Sequence, residues 1–360
     1  MVRSALIDPR ITSIMFDTGQ LISYGWNDTL SHTFDNYLTD HREPGRVIRV
    51  NRGQCDVAVS RGIASAHTAD HVLCTGDWVT LVARGDEIAV ADLLPRRSAI
   101  VRSSASGRSE GQLLATNVDT VVITAALDTV LDLGRIERLL ALAWESGAQP
   151  VVALTKSDIA QDVSIVISEV AAVAPAVTVI AVSGDTGDGL DVLTAVLTGT
   201  IALIGASGAG KSTLANALLG ADLLATGRVR DGDNKGRHTT AHRELVPLPH
   251  GGTLIDTPGL RGVGMWDAAD GIDKAFPEID ELSTHCRFKD CSHETEPGCA
   301  VLEAVECGEL PERRIISYRK LIRENRRIAA RTDVRLRADR GREMKAITQL
   351  QRQMVRNKRR

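Results

Sequence analysis

The stretch Ile201-Ala202-Leu203-Ile204-Gly205-Ala206-Ser207-Gly208-Ala209-Gly210-Lys211-Ser212-Thr213 decides how this chain reads. Apolar residues run into a glycine-rich turn, and Gly205 to Ser212 fits G-x-x-x-x-G-K-[ST]. The pattern predicts a buried strand, a loop and a helix beginning near Lys211. Each residue type has a chemical reason to be there. Glycines let backbone N–H groups turn inward around phosphate oxygens, and the helix N-terminus adds its positive dipole end. Lys211 supplies a point charge for the β- and γ-phosphates, and the Ser212 hydroxyl is placed to reach Mg²⁺. The whole run Gly205 to Thr213 is therefore expected to line a nucleotide.

Upstream of that run, strands and helices alternate. Val118 to Thr124 reads as a buried strand and Arg135 to Ser146 as an amphipathic helix with Ile136, Leu139, Leu140 and Ala143 on one face. Pro150 to Leu154 is the next strand, helical residues follow to about Ala174, and Val177 to Val182 is a strand. Leu190 to Leu197 is helical again. Such alternation predicts a mostly parallel sheet with helices on both faces, whose ligands bind at the C-terminal edge of the strands. Three more loops fall at that edge. Thr155-Lys156-Ser157-Asp158 resembles the guanine-reading pattern Asn-Lys-x-Asp. There the aspartate accepts from the guanine N1–H and exocyclic amine while the lysine stem stacks on the ring. Adenine lacks that donor pair. The strand ending at Val182 leads into Ser183-Gly184, where a backbone N–H is placed for the guanine O6. Asp256-Thr257-Pro258-Gly259 follows the apolar strand Thr253 to Ile255 and resembles D-x-x-G: Asp256 holds Mg²⁺ through water and the Gly259 N–H senses the γ-phosphate. The glycine-rich, charged segment Gly227 to Glu244 contains Gly236-Arg237-His238-Thr239-Thr240. Either Thr239 or Thr240 completes the Mg²⁺ shell, in a loop that opens when the γ-phosphate leaves.

The flanks have other textures. With 360 residues, 43% hydrophobic and 25% charged, the chain is an ordinary globular protein of two or three domains. Its longest near-continuous apolar run, Val170 to Val182, is interrupted by Pro175 and falls short of the roughly 18 residues of a membrane span. No leader or membrane contact is therefore expected, and the location is expected to be cytoplasmic. Residues 1–43 show only a short packed helix around Phe34 and Tyr37. Between Pro44 and Pro95, four β-like runs separated by Asn51-Arg52-Gly53, Thr75-Gly76-Asp77 and Arg84-Gly85-Asp86 predict a small barrel of the oligonucleotide-binding type. Arg46, Arg49, Arg52 and Arg61 are its candidate phosphate contacts. Arg96 to Gly111 is polar, serine-rich and basic, a linker by composition.

Four of the six cysteines lie between Cys286 and Cys307, which in a large reduced chain reads as metal ligation rather than a disulfide framework. Cys286, Cys291, His293 and Cys299 give C-x₄-C-x-H-x₅-C, which closes a tetrahedral, structural Zn²⁺ site, with Cys307 a competing ligand on spacing alone. Beyond it, Ile315, Ile316, Tyr318, Leu321 and Ile322 are placed to pack on that module. From Pro311 to Arg360 there are 18 Lys and Arg against 5 Asp and Glu, a net +13 that leaves −16 for the rest of the chain. An acidic body with a basic end seeks a polyanion, here RNA phosphate.

The order of these motifs is unusual, because the base-reading loops precede the phosphate loop. With a barrel ahead and a cysteine cluster behind, the chain resembles the circularly permuted ribosome small subunit-dependent GTPase A family over nearly its full length. That family's G-x-H-T-T matches Gly236 to Thr240, and its cysteine pattern favours Cys286, Cys291, His293 and Cys299. The resemblance implies an α/β fold of a circularly permuted P-loop GTPase domain (110–265) between an N-terminal extension (1–43), an OB-type barrel (44–98), a zinc-binding helical domain (266–330) and a basic tail (331–360). It implies a monomeric GTP hydrolase using GTP/GDP, Mg²⁺ and one structural Zn²⁺. Its partners would be the small (30S) ribosomal subunit and its rRNA, in late maturation of that subunit. Leu260 stands where many GTPases place a water-orienting glutamine, and the resemblance gives that part to His238, whose other role would be packing within the loop. Thr155 in place of Asn and Ala241 after the two threonines depart from the family pattern. Two rivals remain: an RNA-binding protein whose turnover is incidental, and a P-loop kinase that prefers ATP.

Overall fold

The computed structural model describes residues 19–37, 42–102, 112–221, 243–256 and 268–332. His238, Thr239, Thr240 and Gly259 lie outside the described residues, as do residues 333–360 of the basic tail. Five strands, β1 (Glu43–Val50), β2 (Gln54–Val59), β3 (Gly62–His67), β4 (Trp78–Arg84) and β5 (Glu87–Leu93), close a barrel in the order β1-β2-β3-β5-β4. Closure removes the exposed strand edges that a small open sheet would present. Four runs were expected and the fifth, β3, was not. Its one large apolar side chain, Ile63, is 63% exposed, so β3 is held by its antiparallel ladder to β2 and a parallel contact of His67 with Ala89.

β1 is covered on both faces. Val47 joins Val57, Val79 and Leu81 inside the barrel, while Ile48 joins Trp78, Leu21 and Phe34 on its outer side. Leu21 and Phe34 come from α1 (Gly19–Ser23) and α2 (Asp28–Asp35), the latter capped by the Asn27 side chain accepting from Leu30 N. This packing corrects the reading of Arg46 as a surface phosphate contact. Its guanidinium is 1% exposed, lies over the Trp78 ring at 4.9 Å, and donates to Tyr24 O, to Thr200 Oγ1 at 2.6 Å and to Asn117 O at 3.4 Å. Burial pushes its pKa down to about 9, against the raising influence of Asp119 and Asp77, so it stays protonated at neutral pH. Arg49 pairs with Glu244 at 2.7 Å, and Arg52 and Arg61 are exposed.

The expected linker is also partly structured. β6 (Ala99–Arg102) pairs antiparallel with β7 (Gln112–Thr116), while the serine-rich residues 103–111 lie outside the described residues. The central sheet has the order β10-β9-β8-β11-β13-β12, built from β8 (Thr120–Ala126), β9 (Gln149–Thr155), β10 (Thr178–Val182), β11 (Thr200–Gly205), β12 (Glu244–Pro247) and β13 (Thr253–Asp256). All neighbours are parallel except β12, which runs antiparallel along one edge. Period-two alternation sorts the core into two layers. Val122, Ala153, Ile180, Leu203 and Leu254 meet Leu193 of α5 (Leu190–Val196) and Leu214 and Leu218 of α6 (Lys211–Leu219). Val121, Ile123, Val152, Leu154, Ile204 and Ile255 face α3 (Leu133–Glu145), α4 (Val163–Ala171) and the C-terminal helices.

Those helices are α7 (Ala269–Ala275), α8 (Pro277–Ser283), α9 (Ala300–Glu306) and α10 (Glu312–Thr332). α7 lies so close on α3 that a Cβ on Gly271 would stand 2.1 Å from Ala141 O. α10 is pinned to α3 by charge: the fully buried Glu137 accepts from Arg313 Nη2 and Arg314 Nη1, each at 2.6 Å, and from Ser317 Oγ at 2.5 Å. Ile315 and Leu321 of α10 are buried, whereas Ile316 is 53% exposed.

Candidate functional site

The phosphate loop forms as its sequence requires. β11 ends at Gly205, the loop tip at Ser207 and Gly208 is exposed, and α6 begins at Lys211. Gly210 caps that helix at φ +72°, a backbone state that a residue with a Cβ enters only at a cost. The Lys211 ammonium folds back over the loop and donates to Ala206 O at 2.5 Å and Gly205 O at 3.0 Å. A cation and a helix N-terminus thus converge at the loop, the electrostatics that phosphate binding needs. Ser212 and Thr213, half-buried in the first turn of α6, stand beside it.

The parallel ladder brings the other loops to the same rim. Gly205 pairs with Thr124, Ala126 with Thr155, and Thr155 with Val182, so β11, β8, β9 and β10 end in register. Two contacts then tie the loops after β9 and β10, the candidate base-reading loops, to the phosphate loop. The buried Thr155 hydroxyl is 3.0 Å from Ala209 O and 3.4 Å from Ala125 O, donating across to the phosphate loop. The threonine that stands where the base-reading pattern has Asn therefore still holds the two loops together. Gly184 presses against α6, and a Cβ there would lie 2.9 Å from Thr213 Cγ2 and 3.2 Å from its carbonyl carbon. Ser183 is fully buried, and its hydroxyl accepts from the N–H groups of Thr186 at 3.1 Å and Asp185 at 3.3 Å, which shapes the turn around Gly184.

Within Thr155 to Asp158 the side chains diverge. Lys156 adopts a left-handed backbone and its ammonium pairs with Asp128, while Ser157 to Ile159 form a single 3-10 turn that leaves Asp158 exposed. β13 delivers the backbone of Asp256 to the same rim, where it pairs across with Glu244. Asp158, Ser183, Gly184, the phosphate loop and the Asp256 backbone are therefore collected at one edge of one sheet.

The second cluster lies in the segment between α8 and α9. Cys286, Cys291, His293 and Cys299 place their ligand atoms within 4.8 Å of one another. His293 Nδ1 is 3.4 Å from Cys299 Sγ and 3.6 Å from Cys286 Sγ, and the two sulfurs are 3.9 Å apart. A tetrahedron with Zn–S near 2.3 Å and Zn–N near 2.0–2.1 Å has S···S edges of about 3.8 Å and S···N edges of about 3.5 Å. The three edges among Cys286, His293 and Cys299 match those lengths, and Nδ1 is the imidazole nitrogen that faces the sulfurs. Burial lowers the His293 pKa, keeping the ring in the neutral form a metal binds. Glu296 braces the intervening loop by accepting from the N–H groups of Ser292, Glu294 and Thr295 and from the Ser292 hydroxyl, and those bonds hold its carboxyl well below the usual range. Cys307 is exposed and outside the cluster, which removes it as a competing ligand.

Three contacts were not read from the sequence: the Thr155 bridge to Ala209, the Asp128 partner of Lys156, and the Arg49 pair with Glu244. Only Asp128 carried a signal, as a carboxylate placed just after a strand that ends on the rim.

Comparison with known proteins places this geometry. The family model described as RsgA GTPase matches residues 93–266. A protein of Streptomyces avermitilis named small ribosomal subunit biogenesis GTPase RsgA is 56% identical over 336 residues, covering 90% of this chain and 91% of that protein. Its namesake from Streptomyces coelicolor is 54% identical over 345 residues, covering 93% and 94%. The crystal structure of YjeQ from Thermotoga maritima shares the fold, with a TM-score of 0.59 and 24% identity over 79% of this chain and 98% of its own. The structure of YloQ, titled a circularly permuted GTPase, gives 0.58 and 22% over 79% and 96%.

Proposed function

The chain belongs to the RsgA GTPase family, and from that premise we propose which of its residues carry the reaction. It is a GTP hydrolase of small ribosomal subunit biogenesis, with an OB-type barrel ahead of a circularly permuted GTPase domain. In our reading Asp158 selects guanine and the stem of Lys156 stacks on the ring. Thr155 and Ser157 fix that loop, and Ser183-Gly184 meets the guanine O6. Gly205 through Thr213 cradle the phosphates. Mg²⁺ takes Ser212, Asp256 through water and one of Thr239 and Thr240, and Gly259 senses the γ-phosphate. His238 orients the attacking water where Leu260 offers no polar group.

The observation that carries the reading is the pair of contacts joining both base-reading loops to the phosphate loop, Thr155 to Ala209 and Gly184 to Thr213. One nucleotide bound at that rim touches all three loops, which is what a base-selective triphosphatase requires. Cys286, Cys291, His293 and Cys299 would hold one structural Zn²⁺, which leaves no open position for catalysis. GTP and Mg²⁺ order the segment around 227–244 and the loop after Asp256, fixing barrel and zinc module in one arrangement on the subunit; hydrolysis releases it. The basic stretch from Pro311 to Arg360 meets rRNA phosphate, and the protein works as a cytoplasmic monomer. No described helix is long and apolar enough to cross a membrane.

The test is GTP turnover by the purified protein with and without small subunits, with His238→Ala as control. Stimulation by subunits that the His238→Ala variant loses is expected. Turnover indifferent to subunits would favour an RNA-binding protein with incidental hydrolysis, and a preference for ADP over GDP in competition binding would favour a kinase.

A further inference from the structure

The ion pair between Lys156 Nζ and Asp128 Oδ2 is predicted by neither nucleotide motif, and it sits at the base end of the rim. Asp128 follows directly on β8: Leu127 N donates to Thr155 O at 3.0 Å, which extends the β8–β9 contact one step past the ladder and sets the next residue beside Lys156. Lys156 is fixed at its other end. Its backbone is held at φ +61°, ψ +39°, a state unfavourable for a side chain with a Cβ, between the buried Thr155 and the turn in which Ile159 N donates to Lys156 O.

An untethered lysine is a strongly hydrated charge on a stem with four rotatable bonds, a poor wall for a flat ring. Tied at backbone and tip, the same stem becomes a fixed apolar surface. A second consequence concerns the carboxylate two residues along. Asp158 is exposed, and an ammonium without Asp128 is free to pair with it and occupy the acceptor that guanine needs. We propose that Asp128 is a positioning residue for the nucleobase: it holds Lys156 as one wall of the base pocket and keeps its charge away from Asp158. The proposal rests on the reading that Thr155 to Asp158 takes the base.

The test measures GDP and ADP affinity and the steady-state kinetics of GTP hydrolysis for the full chain, Asp128→Asn and Asp128→Glu. Asp128→Asn should weaken GDP about threefold to fivefold, the scale of one partly exposed ion pair, and ADP less, because either base uses the wall while only guanine uses Asp158. The loss should fall in KM rather than kcat, shrink as salt screens the pair, and be largely restored by Asp128→Glu. GDP binding by Asp128→Asn as tight as wild type or tighter would overturn the proposal and leave the base site standing. So would a loss that is indifferent to salt and unrescued by glutamate, since that marks a merely structural residue. A wild-type chain that binds GDP no better than ADP would instead overturn the base site, and the proposal with it.

Discussion

Replacing Glu137 by alanine probes how the C-terminal helices are held to the GTPase domain. The carboxylate is fully buried on α3 and takes hydrogen bonds from Arg313, Arg314 and Ser317 of α10. Removing one member of a buried pair costs about 3–5 kcal/mol, because the remaining charge is stranded away from water. Two features reduce that here. Arg313 is 39% exposed and recovers water, and Arg314 keeps Glu278, with its Nε 2.6 Å from Oε1, together with the carbonyls of Ala275 at 3.0 Å and Val173 at 3.2 Å. Arg314 also stays over the Phe276 ring at 4.2 Å. The expected cost is therefore at the lower end, about 3 kcal/mol, which in a domain of this size lowers the melting temperature by roughly 6–12 °C. Thermal unfolding followed by circular dichroism reads this directly. A double-mutant cycle with Arg314→Met isolates the pair, and a coupling of at least about 1 kcal/mol is expected for two groups in one network. A Glu137→Ala protein that melts with wild type would refute the reasoning, as would a cycle whose two changes simply add, because either means that α10 is held by its apolar face alone.

Three further outcomes follow from the same geometry. Gly271→Ala should destabilise by about 1–3 kcal/mol despite the gain in helix propensity, because the new methyl meets Ala141 O at 2.1 Å and Glu145 N at 2.9 Å; a raised melting temperature would show that α3 and α7 can separate freely. Metal analysis should find one Zn²⁺ per chain, with a strong chelator or Cys291→Ser removing it and the hydrogen-exchange protection of the segment between Cys286 and Cys299; GDP affinity should survive, as befits a metal with no open position. Asp158→Asn should lose about 1.5–3 kcal/mol of GDP affinity while leaving ADP untouched, since the change removes a charged acceptor that only guanine uses; equal loss for both nucleotides would mean that the residue shapes the loop without reading the base.

How much of this was legible in the sequence depended on how local each determinant is. The phosphate loop, T-K-S-D, S-G and the cysteine spacing were readable because each is a few residues long and its chemistry is complete within them. The strands that carry these loops could be read as well, since strands buried on both faces are near-continuous apolar runs. β3 escaped because its side chains are mostly small or polar, and β6 and β7 because they are only four and five residues long and flank a serine-rich stretch; in each case the pairing partner supplies the reason for the strand. Arg46 was misread for the same cause carried further. An arginine in an alternating strand looks solvated, and the groups that bury it, Tyr24 O, Asn117 O and Thr200 Oγ1, lie 22, 71 and 154 residues away in the chain.

The same distinction explains why a rearranged chain order leaves the pocket intact. Thr155 reaches Ala209 across 54 residues and Gly184 reaches Thr213, yet neither contact depends on which loop is met first along the chain. Each depends on the strand order β10-β9-β8-β11-β13, with neighbours parallel and ending on one rim. What chain order does change is where the ends of the GTPase domain emerge, and hence which modules its edges carry. β1 lies along the β12 edge, where Arg49 holds Glu244, the residue paired across from Asp256. The C-terminal helices α7 and α10 lie on α3, between β8 and β9, whose following loops bring Asp128 and Lys156 together. The barrel therefore bears on β12, the neighbour of the strand that carries Asp256, and the C-terminal helices bear on the helix between the two strands whose loops hold Asp128 and Lys156.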